Sequence, residues 1–396
     1  MPDSAFSPTI PTALAACMQA ARAEFTAHGV YFLEEAYIRS VCSHTNAFPE
    51  LLPFVLETAA RVRSNAGLAL YALFYSRAME QRAGCGANLS ALSIPEEEPM
   101  LPFLAMIPWI GRVYDTLTGR NLPADVIAST VDQFQSCVFL YEERFDRKGL
   151  SGNYISFLRH TIDDCLLGIS RLRFEMLTLR EPIRLLKNKH TGEQVLLFGG
   201  GAMDARGLYA GTPPESAEAF TAAIDEDDAA WSGCVVSDAA KCLPERRRFA
   251  KSDWTLLLGP GDPVLNVHIP AHLPLTREAL AESYRRAPEI FRACYNFAPK
   301  GFVCRSWMLS EELHELLPPG SNILMFQEPY HRFPIRTNGT AVYNFVFKLR
   351  FKAFADMPED TSLQRAVKRR YLDGGHVFEY GGVFVPGENF PDFGQI

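Results

Sequence analysis

The segment Leu265–Leu280, LNVHIPAHLPLTREAL, runs from a strand pattern through one short turn into a helix pattern. Apolar residues alternate up to Ile269, which predicts a strand over 264–269. Thr276 has the character of an N-cap, and Glu278 falls in the first turn of the helix that follows. A strand-to-helix turn gathers backbone N–H groups where an anionic group such as a phosphate is readily held. Pro270 and Pro274 shape the turn and remove two of those donors. The same text also suits a well-capped surface helix. His268 alternates with Val267 and Ile269 and so faces away from their side of the sheet. With an unperturbed pKa of about 6.5, its imidazole suits proton acceptance from an amine or hydroxyl, and equally a structural role. His272 lies in the turn itself.

Outward from this segment, the chain changes character near Arg180. Before it, the spacing predicts helices over 12–27, 53–82 (with Gly67 as a bend or close approach), 122–141 and 153–179. The stretch 84–99 is rich in Gly, Asn, Ser and Pro and reads as a loop. After Pro182, strands are expected at 183–186, 194–198, 232–236, 254–258, 302–309, 323–326, 341–349 and 377–385. Helices are expected at 276–295, 311–317 and 362–372, the last capped by Asp360-Thr361-Ser362. The expectation is an α+β chain. An all-helical N-terminal domain spans 1–180, and a mixed α/β C-terminal domain spans 181–396.

Composition limits the function. The 396 residues are 47% apolar and include 28 Phe, which suffices for a large core and excludes wholesale disorder. A net charge of −7 excludes a broad basic field, and with it general nucleic-acid binding. The basic runs 246–248 and 368–370 are short and read as solvated faces or turns. The acidic run 225–228 lacks the alternating ligands of a calcium loop and reads as a solvated loop. The nine cysteines form no CxxC pair, so a reduced, cytoplasmic setting is expected. No apolar run is long enough to span a membrane, and the N-terminus lacks the pattern of a signal peptide.

Few residues carry chemistry by spacing alone. Gly199–Gly201 follows a strand but lacks the Lys-Ser/Thr of a phosphate loop, so a turn is expected. Cys304 and Ser306 fall on one face of a strand and Arg305 on the other. Cys304 has no adjacent activator and reads as a packed thiol, while Ser306 lacks the GxSxG turn of a serine nucleophile. Asn322 and Gln327 suit either ligand orientation or the satisfaction of buried backbone groups. Pro270 separates His268 from His272 in a strand-to-turn context, so no metal site is expected.

Several of these stretches together resemble a known family. SRLRFE (170–175), GDPVL (261–265), His268-Ile269-Pro270 and Pro274-Leu275-Thr276 are followed by CRSW (304–307), LLPPGSNI (316–323), Phe326-Gln327 and DTSLQ (360–364). Their order and spacing are similar to bacterial acyltransferases with a helical N-acyltransferase N-terminal domain and a GNAT-like C-terminal domain. The resemblance implies an acyl-CoA or acetyl-CoA co-substrate and a small-molecule amine as acceptor. The strand at 264–269 would be the central one, with its splayed neighbour at 302–309 and the acyl thioester between them. Ile269, Pro270, Ala271, Leu275, Thr276 and Arg277 would hold the cofactor pyrophosphate. His268 would be the base, a backbone N–H near Ile269–Ala271 the oxyanion donor, and Ser306 a candidate acid. Asn322 and Gln327 would contact substrate. The turn Pro-Ala-His-Leu-Pro-Leu departs from the family's glycine-bearing pyrophosphate loop. Where many relatives carry a tyrosine acid, this chain has Ser310-Glu311-Glu312-Leu313-His314. A non-catalytic small-molecule-binding or interaction protein on the same fold is the alternative.

Overall fold

The computed structural model describes residues 8–80, 89, 92–271, 273–348 and 353–387. His272, Leu349 and residues 84–88, 90 and 91 of the expected loop at 84–99 lie outside the described residues. The chain forms two compact units, Met1–Ile169 and Ser170–Ile396. An all-helical first part and a mixed second part follow one another as expected.

The first unit contains α1 (Ala15–His28), α2 (Glu35–Thr45), α3 (Leu52–Ser64), α4 (Ala66–Ala78), α5 (Leu101–Gly119), α6 (Ala124–Phe145) and α7 (Gly152–Ile162), and ends in β1 (Leu166–Ile169). The helices α4 and α5 are apolar nearly all round and fill its centre, burying Tyr71, Phe74, Tyr75, Phe103 and Leu104. The helix expected over 53–82 is two helices. The Asn65 side chain accepts from Gly67 N–H at 3.0 Å and Leu68 N–H at 3.1 Å, so the break is a cap rather than a glycine bend. The helix expected over 153–179 stops at Ile162, next to Asp164 at φ 59°. Its second half is strand, because Leu172, Phe174 and Met176 alternate and find a sheet partner.

The second unit holds β2 (Leu172–Thr178), β3 (Ile183–Asn188), β4 (Gln194–Phe198), β5 (Gly201–Met203), β6 (Phe220–Ala222), β7 (Ile224–Glu226), β8 (Ala230–Val236), β9 (Cys242–Ala250), β10 (Trp254–Leu258) and β11 (Pro263–His268). It continues through α8 (Arg277–Tyr295), β12 (Gly301–Ser306), α9 (Leu313–Leu316), α10 (Asn322–Gln327), β13 (His331–Pro334), α11 (Ala341–Phe345), α12 (Ser362–Leu372) and β14 (Tyr380–Phe384). One sheet runs β2-β11-β12-β14-β13 and another β10-β3-β4-β8-β7, with β9 also on β8. They share a core of Leu185, Leu196, Phe198 and Leu258 with Val264, Val303, Phe333 and Val383. On the opposite face of the first sheet lies α8, whose Tyr284 meets Phe302 and Phe384 at ring-centroid distances of 5.1 Å. The basic run lies on β9 and faces the acidic run at β7, with ion pairs Arg248–Asp227 at 3.0 Å and Lys251–Glu226 at 2.8 Å.

Two expected strands are helices. At 323–326 the chain forms α10, started by Ser321, whose hydroxyl accepts from Leu324 N–H at 3.4 Å. At 341–345 it forms α11. The strand expected to reach Leu309 ends at Ser306 in a 3-10 turn over Trp307–Leu309. In these short apolar runs packing decides the backbone, since four to eight residues carry too little periodicity to do so.

Candidate functional site

The connection β11–α8–β12 makes two neighbouring strands parallel. They pair only at Val264↔Gly301, Leu265↔Phe302 and Asn266↔Val303. Beyond that, each follows its outer neighbour. Strand β2 holds β11 as far as His268↔Arg173, and β14 holds β12 as far as Ser306↔Tyr380. The two strands therefore part into a wedge whose inner edges are not paired with each other. Unpaired strand edges offer backbone donors and acceptors to an extended ligand.

His268 stands at the open end of β11, half-buried, on the same sheet face as Asn266 and Glu175. Its Nε2 lies 3.0 Å from Glu175 Oε2, and Asn266 Nδ2 donates to the same oxygen at 3.0 Å. Asn266 Nδ2 and His268 Nε2 are 3.1 Å apart. One arrangement reconciles the three distances: a carboxylate oxygen receiving both N–H groups. Glu175 is buried, and its Oε2 is the oxygen that both nitrogens approach. The proton of neutral His268 then sits on Nε2 and the basic lone pair on Nδ1. The sequence named His268 but neither Glu175 nor Asn266. Ninety-one residues separate the latter two, and only the β2–β11 register brings them together.

The turn after His268 is organised by Arg171, one residue ahead of β2 and buried to 6% exposure. Its Nη2 donates to Pro270 O at 2.8 Å and Leu273 O at 2.7 Å, and its Nε to Pro274 O at 3.1 Å. Its own backbone N–H is held by Ser283 Oγ of α8 at 2.9 Å. Burial, reinforced by the charge of Arg173, lowers the Arg171 pKa to about 10, so it stays a cation at neutral pH. Thr276 caps α8 as expected, with Oγ1 accepting from Ala279 N–H at 3.3 Å. Leu275 is buried, Ile269 and Pro270 are half-buried, and Ala271 is exposed. Arg277 pairs with Glu328 at 3.1 Å.

Other expected residues are placed differently. Ser306 Oγ accepts from Met308 N–H at 3.0 Å and so caps the 3-10 turn. Asn322 is exposed at the start of α10. Gln327 is buried and fully engaged. Its Nε2 donates to Met308 O at 2.8 Å and Ser310 O at 3.1 Å; its Oε1 faces His314 Nε2 at 2.9 Å and Arg332 Nη1 at 2.8 Å. It borders a cleft of about 510 Å³ that His331 and Arg332 also line. Cys304 is fully buried, and burial pushes its thiol up to about 12, which makes it an inert packed thiol. No helix among the described residues is long and apolar enough to cross a membrane.

The GNAT-like C-terminal domain family model matches residues 166–384. No curated protein matches the sequence. Solved structures share the fold at low identity. An acyltransferase in complex with decanoyl-CoA has a TM-score of 0.57 and 16% identity, over 94% of this chain and 99% of that one. Acyltransferase complexes with decanoyl-CoA and teicoplanin, and with CoA and 10C-teicoplanin, each have a TM-score of 0.58 at 16% identity, with the same coverage.

Proposed function

The chain belongs to the GNAT-like C-terminal domain family, and we propose that it is an acyl-CoA-dependent N-acyltransferase acting on a small-molecule amine. The observation that carries this reading is the His268–Glu175 pair at the open end of the splayed strands β11 and β12. The acyl-CoA and teicoplanin bound by structures of the same fold support the donor class and an acceptor of small-molecule size.

The chemistry is direct attack. The acceptor nitrogen adds to the thioester carbonyl, the C–N bond forms, and the C–S bond breaks as the thiolate leaves. His268 takes the ammonium proton on Nδ1. Glu175 holds the ring through Nε2 and stabilises the imidazolium that results. Asn266 shares the carboxylate and fixes its direction. The carbonyl oxygen becomes an oxyanion near the backbone N–H groups at Ile269–Ala271, which are the donors for it. The Ser306 hydroxyl would donate a hydrogen bond to the thiolate. Its oxygen already accepts from Met308 N–H, which polarises its own O–H.

The test is CoA release from acetyl- to decanoyl-CoA in the presence of a panel of primary amines. His268→Ala is expected to lower kcat/KM by ~10²–10⁴-fold and to leave CoA affinity unchanged. A variant that loses thermal stability but keeps its turnover per folded molecule would make His268 structural.

A further inference from the structure

Arg305 lies on the same sheet face as His268. Residues opposite each other in a ladder share a face, and successive residues along a strand alternate. Asn266 and Val303 form the last rung between β11 and β12, and His268 and Arg305 each stand two residues beyond it. At about 3.3 Å per residue, each lies about 7 Å into the wedge. One side of the wedge therefore carries a half-buried imidazole and the other an exposed guanidinium, on one face. On the far side of Arg305 the opposite residue of β14 is Gly381. A Cβ on Gly381 would meet the Phe333 ring at 2.4 Å, so that flank is filled by an aromatic ring and the wedge flank is the open one.

The guanidinium is held from one end. Among the described residues its partner is Glu181, whose Oε1 accepts from Nη2. The two halves of this pair are unequally exposed: the Glu181 side chain is 8% exposed and that of Arg305 57%. The second Glu181 oxygen accepts from the Arg180 N–H at 3.1 Å, which fixes the carboxylate from behind. A pair with one end this exposed adds little to stability. What it supplies is direction: a buried carboxylate anchors one edge of a planar fork and leaves the other donors of the fork to a second planar acceptor.

We propose that Arg305 is a specificity-determining residue that binds a carboxylate of the acceptor, and that the acceptor is an amino acid. The inference rests on the acyl-CoA-dependent N-acyltransferase reading above. An amino acid carries its nucleophile and its anion on one carbon. With the carboxylate on the free edge of Arg305, the amine is directed across the wedge toward the base on the same face, His268. The two carboxylate oxygens match the planar fork, which a lysine does not offer. Glu181 is the positioning residue of the contact, since it holds Arg305 without facing the acceptor itself.

Coenzyme A release by the full chain tests it, with a panel of amino acids each set against the amine that lacks its carboxyl group: leucine against isoamylamine, phenylalanine against phenethylamine, lysine against cadaverine. Wild type is expected to prefer the amino acid within a pair. Arg305→Gln is expected to lower kcat/KM for the amino acid by about 30-fold, chiefly through KM, and to leave the matched amine unaffected. Arg305→Lys is expected to recover part of the loss, since it returns the charge without the fork. A purely structural role would lower both members of a pair alike. A folded Arg305→Gln protein with the wild-type ratio, or a wild type that turns over amines as well as amino acids, overturns the proposal and leaves the acyltransferase reading standing. Should Arg305→Gln not fold, Arg305→Lys decides by the same ratio, with a loss of about 10-fold expected and no change overturning it. Coenzyme A release with neither class of acceptor removes both.

Discussion

Gln327 and Arg171 do the same local job with opposite remainders. Each is a buried polar side chain that gathers backbone carbonyls from a loop: Met308 and Ser310 for one, Pro270, Leu273 and Pro274 for the other. Gln327 is neutral, and its oxygen is taken by His314 and Arg332, so the knot is closed. Arg171 is charged, and Nη1 has no acceptor among the described residues. Two buried polar knots of the same form therefore differ in how completely they are satisfied. The difference lies in what remains after the internal hydrogen bonds are counted.

The comparison is sharpened most by Gln327→Leu. It would strand two carbonyls and remove a partner from Arg332, at a cost of about 3 kcal/mol or roughly 6–12 °C in Tm. Coenzyme A affinity measured well below the new Tm should not change. A large loss of affinity with stability intact would break the contrast and make Gln327 a ligand residue. A smaller effect concerns pH. The Arg171 pKa, lowered to about 10 by burial, keeps the charge through neutral pH. The folded value lies below the unfolded one, so folding favours the neutral form, and the group contributes no pH dependence of stability below about pH 9. Stability and coenzyme A affinity are therefore expected to show no change from this group between pH 7 and 9; a titration in that window, followed by thermal melts and by binding, would point to another group. The smallest effect is that of Arg277→Ala. Its pair with Glu328 is more than a third exposed on both sides, so stability should change by about 1 kcal/mol or less. A clear loss of coenzyme A affinity with stability intact would make Arg277 a ligand residue.

Much of the second unit was legible from local pattern. The α8 start at Thr276 and the capping box at Thr361–Gln364 follow from side chains that reach only three residues along the chain. The strand before α8 follows from its alternation. Helix and strand were confused where runs were short or where a partner strand decided. Leu172–Thr178 reads as a continuation of α7 until β11 is known to lie beside it. The glycine-free turn is a similar case. Its sequence spoke against a phosphate loop, and the arginine that organises it lies about a hundred residues earlier.

By itself, the sequence determined where the side-chain-capped helices α8 and α12 begin, and that His268 ends a strand before a capped helix. These depend on neighbours within a few positions, and side-chain periodicity reports them directly. Only the tertiary structure decided what His268 and the turn can do. A tautomer is set by the group facing the ring, a loop's polarity by the group its carbonyls face. In this chain Glu175 and Arg171 supply those groups across the sheet, and the register that delivers them has no local trace.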